Sequence, residues 1–126
     1  MTTINQHKPT ESELKILQIL WKKSECTVRD VHDVLELSKD AGYTTTLKLM
    51  QIMHEKGLVS RDTSSKTHIY KAVAAKEQIQ QQMLDKMIDT VYNGSAARLV
   101  MQALGNHTAS KEEIDLIKKY LDQINK

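Results

Sequence analysis

The stretch Tyr43-Thr44-Thr45-Thr46-Leu47-Lys48-Leu49-Met50-Gln51-Ile52-Met53-His54-Glu55-Lys56-Gly57-Leu58-Val59-Ser60-Arg61 changes its period part-way along. From Thr44 to Lys56, Thr46, Leu49, Met50 and Met53 recur at i, i+3, i+4, i+7, the spacing of a helix with one buried face. Thr45, Lys48 and Ile52 fall on the opposite face, with Thr44 and Gln51 beside them. Gly57 suits the left-handed position that ends a helix. After it the pattern turns β-like: Leu58–Arg61 and 68–73 flank the polar loop 62–67, which reads as a hairpin.

Working outward, Thr10 and Glu13 make a Thr-x-x-Glu capping box just after Pro9. A stripe of Leu14, Ile16, Leu17, Leu20 and Trp21 then predicts a first helix over 11–23. Ser24-Glu25-Cys26 breaks it, and Thr27 with Asp30 starts a second helix carrying Val28, Val31 and Leu35, fading near Ser38. Residues 39–43 read as a turn. Downstream, Ile79, Met83, Met87, Ile88 and Val91 mark a helix from Lys76 to a stop at Asn93-Gly94. A short helix over 95–104 is closed by Gly105-Asn106, and Ser110 with Glu113 caps a last one carrying Ile114, Ile117, Leu121 and Ile124.

This order predicts a mainly α chain. Residues 1–75 form a winged helix-turn-helix, three helices plus a small β-hairpin wing, and 76–126 a three-helix tail. Some 50 residues bury little apolar surface alone. Met83, Met87, Val91, Leu99, Val100, Leu104, Ile114, Ile117 and Leu121 therefore call for a second copy of the chain, making the tail a dimerisation domain.

Composition narrows the class. The chain has 126 residues, 40% of them hydrophobic but only 4% aromatic. Leu, Ile, Val and Phe together make about 24%, above the roughly 20% below which chains stay disordered. One cysteine excludes a disulfide framework and a Cys-rich zinc site. With no apolar leader and no run approaching a membrane span, the expectation is a soluble cytoplasmic protein without membrane insertion. The net charge of +2 proves no partner; it sits in residues 1–75, while the remainder is balanced.

Catalysis finds no support. Cys26 reads as a small core or strand residue, since a reactive thiol needs a nearby His and an electropositive setting. His32 and Glu36 share a helix face, but two ligands do not make a metal site, and His32 reads as a surface or half-buried residue. His54-Glu55 lacks the second His of a zinc-protease motif. Asp85 and Asp89 have no general-acid partner, and no Gly-rich phosphate loop occurs. No metal, cofactor or enzymatic activity is expected.

The outer face of the third helix is more informative. Thr44, Thr45, Lys48 and Gln51 are short hydrogen-bonding groups plus one cation at a helix N-terminus, suited to base edges and phosphate. A merely solvated face usually favours Glu and Lys over Thr. Arg61, Lys66 and His68 on the hairpin, Thr27 and Arg29 opening the second helix, and Tyr43 are candidates for DNA phosphate. The alternative is a winged-helix module that docks the same face on another protein.

The segments 10–21, 27–35, 43–50 and 55–59 resemble the penicillinase-repressor family of BlaI, MecI and the copper-responsive repressors. Its marks here are Trp21 ending the first helix, Tyr43-Thr44-Thr45 opening the third and Lys56-Gly57-Leu58-Val59 leaving it. Tyr92-Asn93-Gly94-Ser95 resembles the family's link to its dimerisation helices, so the resemblance covers about residues 10–124. It implies a homodimeric repressor on a palindromic double-stranded DNA operator, the third helix in the major groove. Three positions depart from the family. Ile52 stands where Arg is frequent, Gln102-Ala103 where β-lactam-responsive members have a cleaved Asn-Phe, and no Cys-x-Cys pair follows Cys26. A regulatory protease or membrane sensor is the further partner class that the resemblance raises, and the inducing signal stays open.

Overall fold

The computed structural model describes residues 8–36, 42–106 and 109–125, with the side chain of Glu36 outside that set. Among the described residues nine elements follow in order: α1 (Glu11–Lys23), β1 (Glu25–Cys26), α2 (Val28–Glu36), α3 (Tyr43–Lys56), β2 (Val59–Asp62), β3 (Ile69–Ala72), α4 (Lys76–Val91), α5 (Ala96–Asn106) and α6 (Lys111–Ile124). The predicted fade of α2 near Ser38 and most of the predicted 39–43 turn lie outside the described residues.

Local chemistry sets the helix ends. The Thr10 hydroxyl accepts from the Glu13 N–H at 3.2 Å while the Glu13 carboxylate accepts from the Thr10 N–H at 2.9 Å. Thr27 and Asp30 repeat the reciprocal pair at 3.0 Å each. Each box satisfies two N–H groups that a helix start leaves without carbonyl partners. Gly57 adopts φ +84° and closes α3, with its own N–H bonded to the His54 carbonyl and that of Leu58 to Met53.

The sheet has three antiparallel strands in the order β1-β3-β2, with β3 central. Cys26 and Arg61 flank Tyr70 from opposite sides, and Glu25 and Ser60 flank Lys71. The sequence reading had only a hairpin here, with 24–26 as a break. Two residues carry no periodicity of their own, and β1 exists because β3 pairs with it.

The chain divides into two compact units that meet between Met83 and Leu84. The first has a continuous core of Ile16, Leu17 and Leu20 from α1, Val31 from α2, Met50 and Met53 from α3, Leu58 and Tyr70, all at most 1% exposed. Ile79 of α4 joins them at 1% exposure, so the first unit takes in half of α4 rather than ending at residue 75 as the sequence suggested. Trp21, half-buried at the end of α1, donates its indole N–H to the Ala74 carbonyl at 2.8 Å, where the chain leaves β3. Glu13, buried at 3% side-chain exposure, meets Lys56 Nζ with both carboxylate oxygens at 2.9 Å.

In the second unit, which begins within α4, no residue of α5 or α6 is buried. Helix α5 runs through Gly105 to Asn106, two residues past the expected end at Leu104, because no proline or left-handed residue interrupts it there.

Candidate nucleic-acid interface

A cleft of about 390 Å³ opens where the start of α2, one face of α3 and the β2–β3 hairpin converge. Thr27 and Arg29, Tyr43 and Gln51, and Arg61, Lys66 and His68 all line it. The six residues singled out for phosphate thus come from three separate segments and share one space with Gln51. Thr67 also lines the cleft.

Each cation is held differently. The Arg29 guanidinium lies over the Tyr43 ring, 4.6 Å from its centroid, and its 3.9 Å approach to Asp33 is solvent-exposed and worth little. Arg61 shares the buried sheet face of Tyr70, its cross-strand partner. Its Nε is buried with no hydrogen-bond partner among the described residues. A buried donor left unpaired costs energy. Lys66 and His68 stand exposed on the hairpin loop. The loop is shaped from inside: the Ser64 N–H donates to Asp62 Oδ1 at 2.9 Å and the Ser65 hydroxyl to the Thr67 carbonyl at 3.0 Å. Those Ser64 bonds hold the Asp62 carboxyl below the usual carboxylate range.

Thr44, Thr45 and Lys48 are exposed on the outer face of α3, next to Gln51. The N-cap of α3 is Gly42, which offers no side-chain cap, and the positive end of the helix dipole lies there. Thr46 and Met50 on the inner face are fully buried.

His32 corrects its expected place: it is 6% exposed and its Nδ1 lies 3.2 Å from Thr46 Oγ1. The periodicity of α2 could not show this, because the partner comes from another helix. Cys26 is buried on β1. Burial pushes its thiol up, Asp30 and Glu25 add to the rise, and Lys23 opposes it. The thiol is therefore protonated at neutral pH and unsuited to nucleophilic work. Folded protein should react with a thiol reagent far more slowly than denatured chain; equal rates would contradict the burial. Stability should also fall as pH rises past the ordinary thiol range, where the unfolded chain sheds a proton that the folded one keeps. Among the described residues no group of three or more His, Cys, Asp or Glu could hold a metal, and no helix is long and apolar enough to cross a membrane.

The second surface is apolar. Met83, at the end of the first unit, and Met87, Val91, Val100, Leu104 and Leu121 in the second are exposed, while Leu99, Ile114 and Ile117 are half-buried. Leu84, Met101, Leu116, Tyr120 and Ile124 are exposed as well. Of these, the sequence reading had only Ile124 in a stripe. Leu116 and Tyr120 form a second i, i+4 stripe on α6 that a single-face reading passes over. Within the second unit Leu84, Met87, Tyr92, Leu99 and Ala103 line a groove of about 330 Å³, spanned by a 3.1 Å bond from the Tyr92 hydroxyl to Gln102 Oε1.

A three-helix core, a three-stranded sheet with a projecting hairpin and a cation-lined cleft beside an uncapped helix define a winged helix-turn-helix protein. The sequence model of the Penicillinase repressor family matches residues 9–123, and the chain belongs to that family. The methicillin resistance regulatory protein MecI of Staphylococcus aureus is 21% identical over 114 residues, covering 90% of this chain and 93% of MecI. The transcriptional regulator BlaI of Mycobacterium tuberculosis is 25% identical over 114 residues, 89% of this chain and 81% of BlaI. The penicillinase repressor of Bacillus licheniformis is 22% identical over 116 residues, 90% and 89% of the two chains. These relatives are regulators by name, and family members are repressors rather than enzymes.

Proposed function

We propose that this chain is a homodimeric transcriptional repressor that binds a palindromic DNA operator in the cytoplasm. Helix α3 enters the major groove with Thr44, Thr45, Lys48 and Gln51 toward base edges. Thr27, Arg29, Tyr43, Arg61, Lys66 and His68 take phosphates. The observation that carries this reading is the convergence of those six on one cleft beside the uncapped start of α3, an arrangement suited to an anionic backbone. The apolar faces of α4, α5 and α6, with no buried residue in the last two, support pairing through residues 84–126 and a dimer that presents two α3 helices. Gln102-Ala103, at the position where relatives of the β-lactam-responsive type are expected to be cut, lies inside α5. A regulatory protease acting there would have to open that helix.

The test is binding to a palindromic duplex selected from a random pool, measured across salt concentration. For DNA, log K should fall with log salt by about 0.9 per phosphate neutralised; a protein-docking module would give a shallow slope. Lys48→Ala should cost about 1–3 kcal/mol and relax preference at one base pair. Lys66→Ala should weaken all sequences alike and lower the slope by about one unit. No binding to any duplex at low salt overturns the reading, and sequence-specific loss at Lys66 overturns the division between reading and anchoring residues.

A further inference from the structure

We propose that His32, which does not face the DNA cleft, is a positioning residue that fixes Arg29 in it by way of Tyr43. This rests on the reading of the cleft as a phosphate site.

The Thr46 hydroxyl donates to the Gly42 carbonyl at 3.4 Å. With its hydrogen spent there, Thr46 Oγ1 accepts from His32 Nδ1–H at 3.2 Å. Both side chains are buried, Thr46 at 0% and His32 at 6% exposure, so the chain of bonds fixes the tautomer and the ring plane. The fixed imidazole meets the Tyr43 ring at right angles, 79° and 5.5 Å between centroids, a favourable aromatic geometry. Tyr43 is otherwise an exposed side chain at the first position of α3, and the imidazole restrains it from the core side. The ring then presents its π-face to the Arg29 guanidinium at 4.6 Å.

A free arginine pays rotamer entropy whenever it is fixed on a phosphate. Here one buried ring, one exposed ring and one cation stand in series, so part of that ordering exists before DNA arrives. The same linkage joins α2 to the first turn of α3. The spacing between Arg29 and the start of the groove-reading helix is thereby set by a side chain that touches neither base nor phosphate. An apolar residue at position 32 would fill the space but leave the Thr46 oxygen without this donor.

The experiment is a double-mutant cycle on the full chain, with the selected palindromic duplex as probe and thermal melting to show that each variant is folded. Arg29→Ala should weaken binding and lower the salt slope by about 0.9. His32→Gln, which keeps a donor for Thr46 but loses the ring, should weaken binding about three- to tenfold and lower the slope in the same direction. In the Arg29→Ala background it should change affinity by less than about twofold, because residues acting through one another are not additive. His32→Phe, keeping an aromatic edge against Tyr43, should bind within about twofold of wild type despite a lower melting temperature, and this variant decides the matter if His32→Gln does not fold. An equal loss from His32→Gln with and without Arg29, or an equal additive loss from His32→Phe, overturns the role of His32 alone. No duplex binding by wild type, or none lost in Arg29→Ala, overturns the phosphate reading of the cleft instead.

Discussion

Glu13→Ala should lower the stability of the first unit by about 3 kcal/mol, toward the lower end of the 3–5 typical when one partner of a buried ion pair is removed. The carboxylate is buried and makes three contacts. It accepts from the Thr10 N–H at 2.9 Å and from Lys56 Nζ at 2.9 Å through each oxygen. Its loss leaves Thr10 without half its capping box and Lys56, whose side chain is only 29% exposed, without its counter-charge. The pair also ties the first turn of α1 to the last turn of α3, each charge at the helix end whose dipole favours it. Replacing both residues by Met should cost much less than either single change, because the burial penalty of the charges vanishes with their attraction. Urea titration measures this, and a double variant as unstable as Glu13→Ala would show that the cap rather than the ion pair dominates.

Leu121→Asp should turn a dimer into a monomer and weaken operator binding by about 100-fold, since linked half-sites gain 10²–10⁴ in avidity without new contacts. Leu121 is half-exposed on α6, the helix that also exposes Leu116, Tyr120 and Ile124. A carboxylate in that surface would be desolvated without a partner on dimerisation. The first unit does not contain residue 121, so its melting transition should stay in place. Sedimentation equilibrium with footprinting on the palindrome reads both effects; a monomeric wild type that protects both half-sites at full affinity would refute the proposal. Truncation must respect the observed boundary. A chain ending at Ala75 loses Ile79 from the core, comparable to the about 2–5 kcal/mol of a large-to-small core change. One ending at Val91 keeps Ile79 and should stay folded while binding one half-site weakly.

What the sequence made legible was local. Thr10 with Glu13 and Thr27 with Asp30 are three residues apart, so their bonds follow from the chain's own geometry. The inner stripe of α3 and the left-handed Gly57 are legible for the same reason. The unread features all depend on distant partners: β1 on Tyr70 and Lys71, buried His32 on Thr46, the first unit's extent on Ile79, and the Glu13–Lys56 pair on residues 43 apart. The candidate site falls between these cases. Its residue types were readable, because hydrogen-bonding and cationic side chains cluster in sequence at three places. Their meeting in one cleft, and the Tyr43 ring beneath Arg29, required the fold.

The bond from the Trp21 indole to the Ala74 carbonyl has a practical use in optical work. Trp21 is the sole tryptophan of the chain, and its N–H is anchored at 2.8 Å to the point where β3 gives way to α4. Red-edge excitation of the native protein therefore illuminates one seam and nothing else. Breaking that anchor hands the indole N–H to water, and the emission should move to longer wavelength. The protein thus carries an unlabelled fluorescent gauge of the joint between β3 and α4.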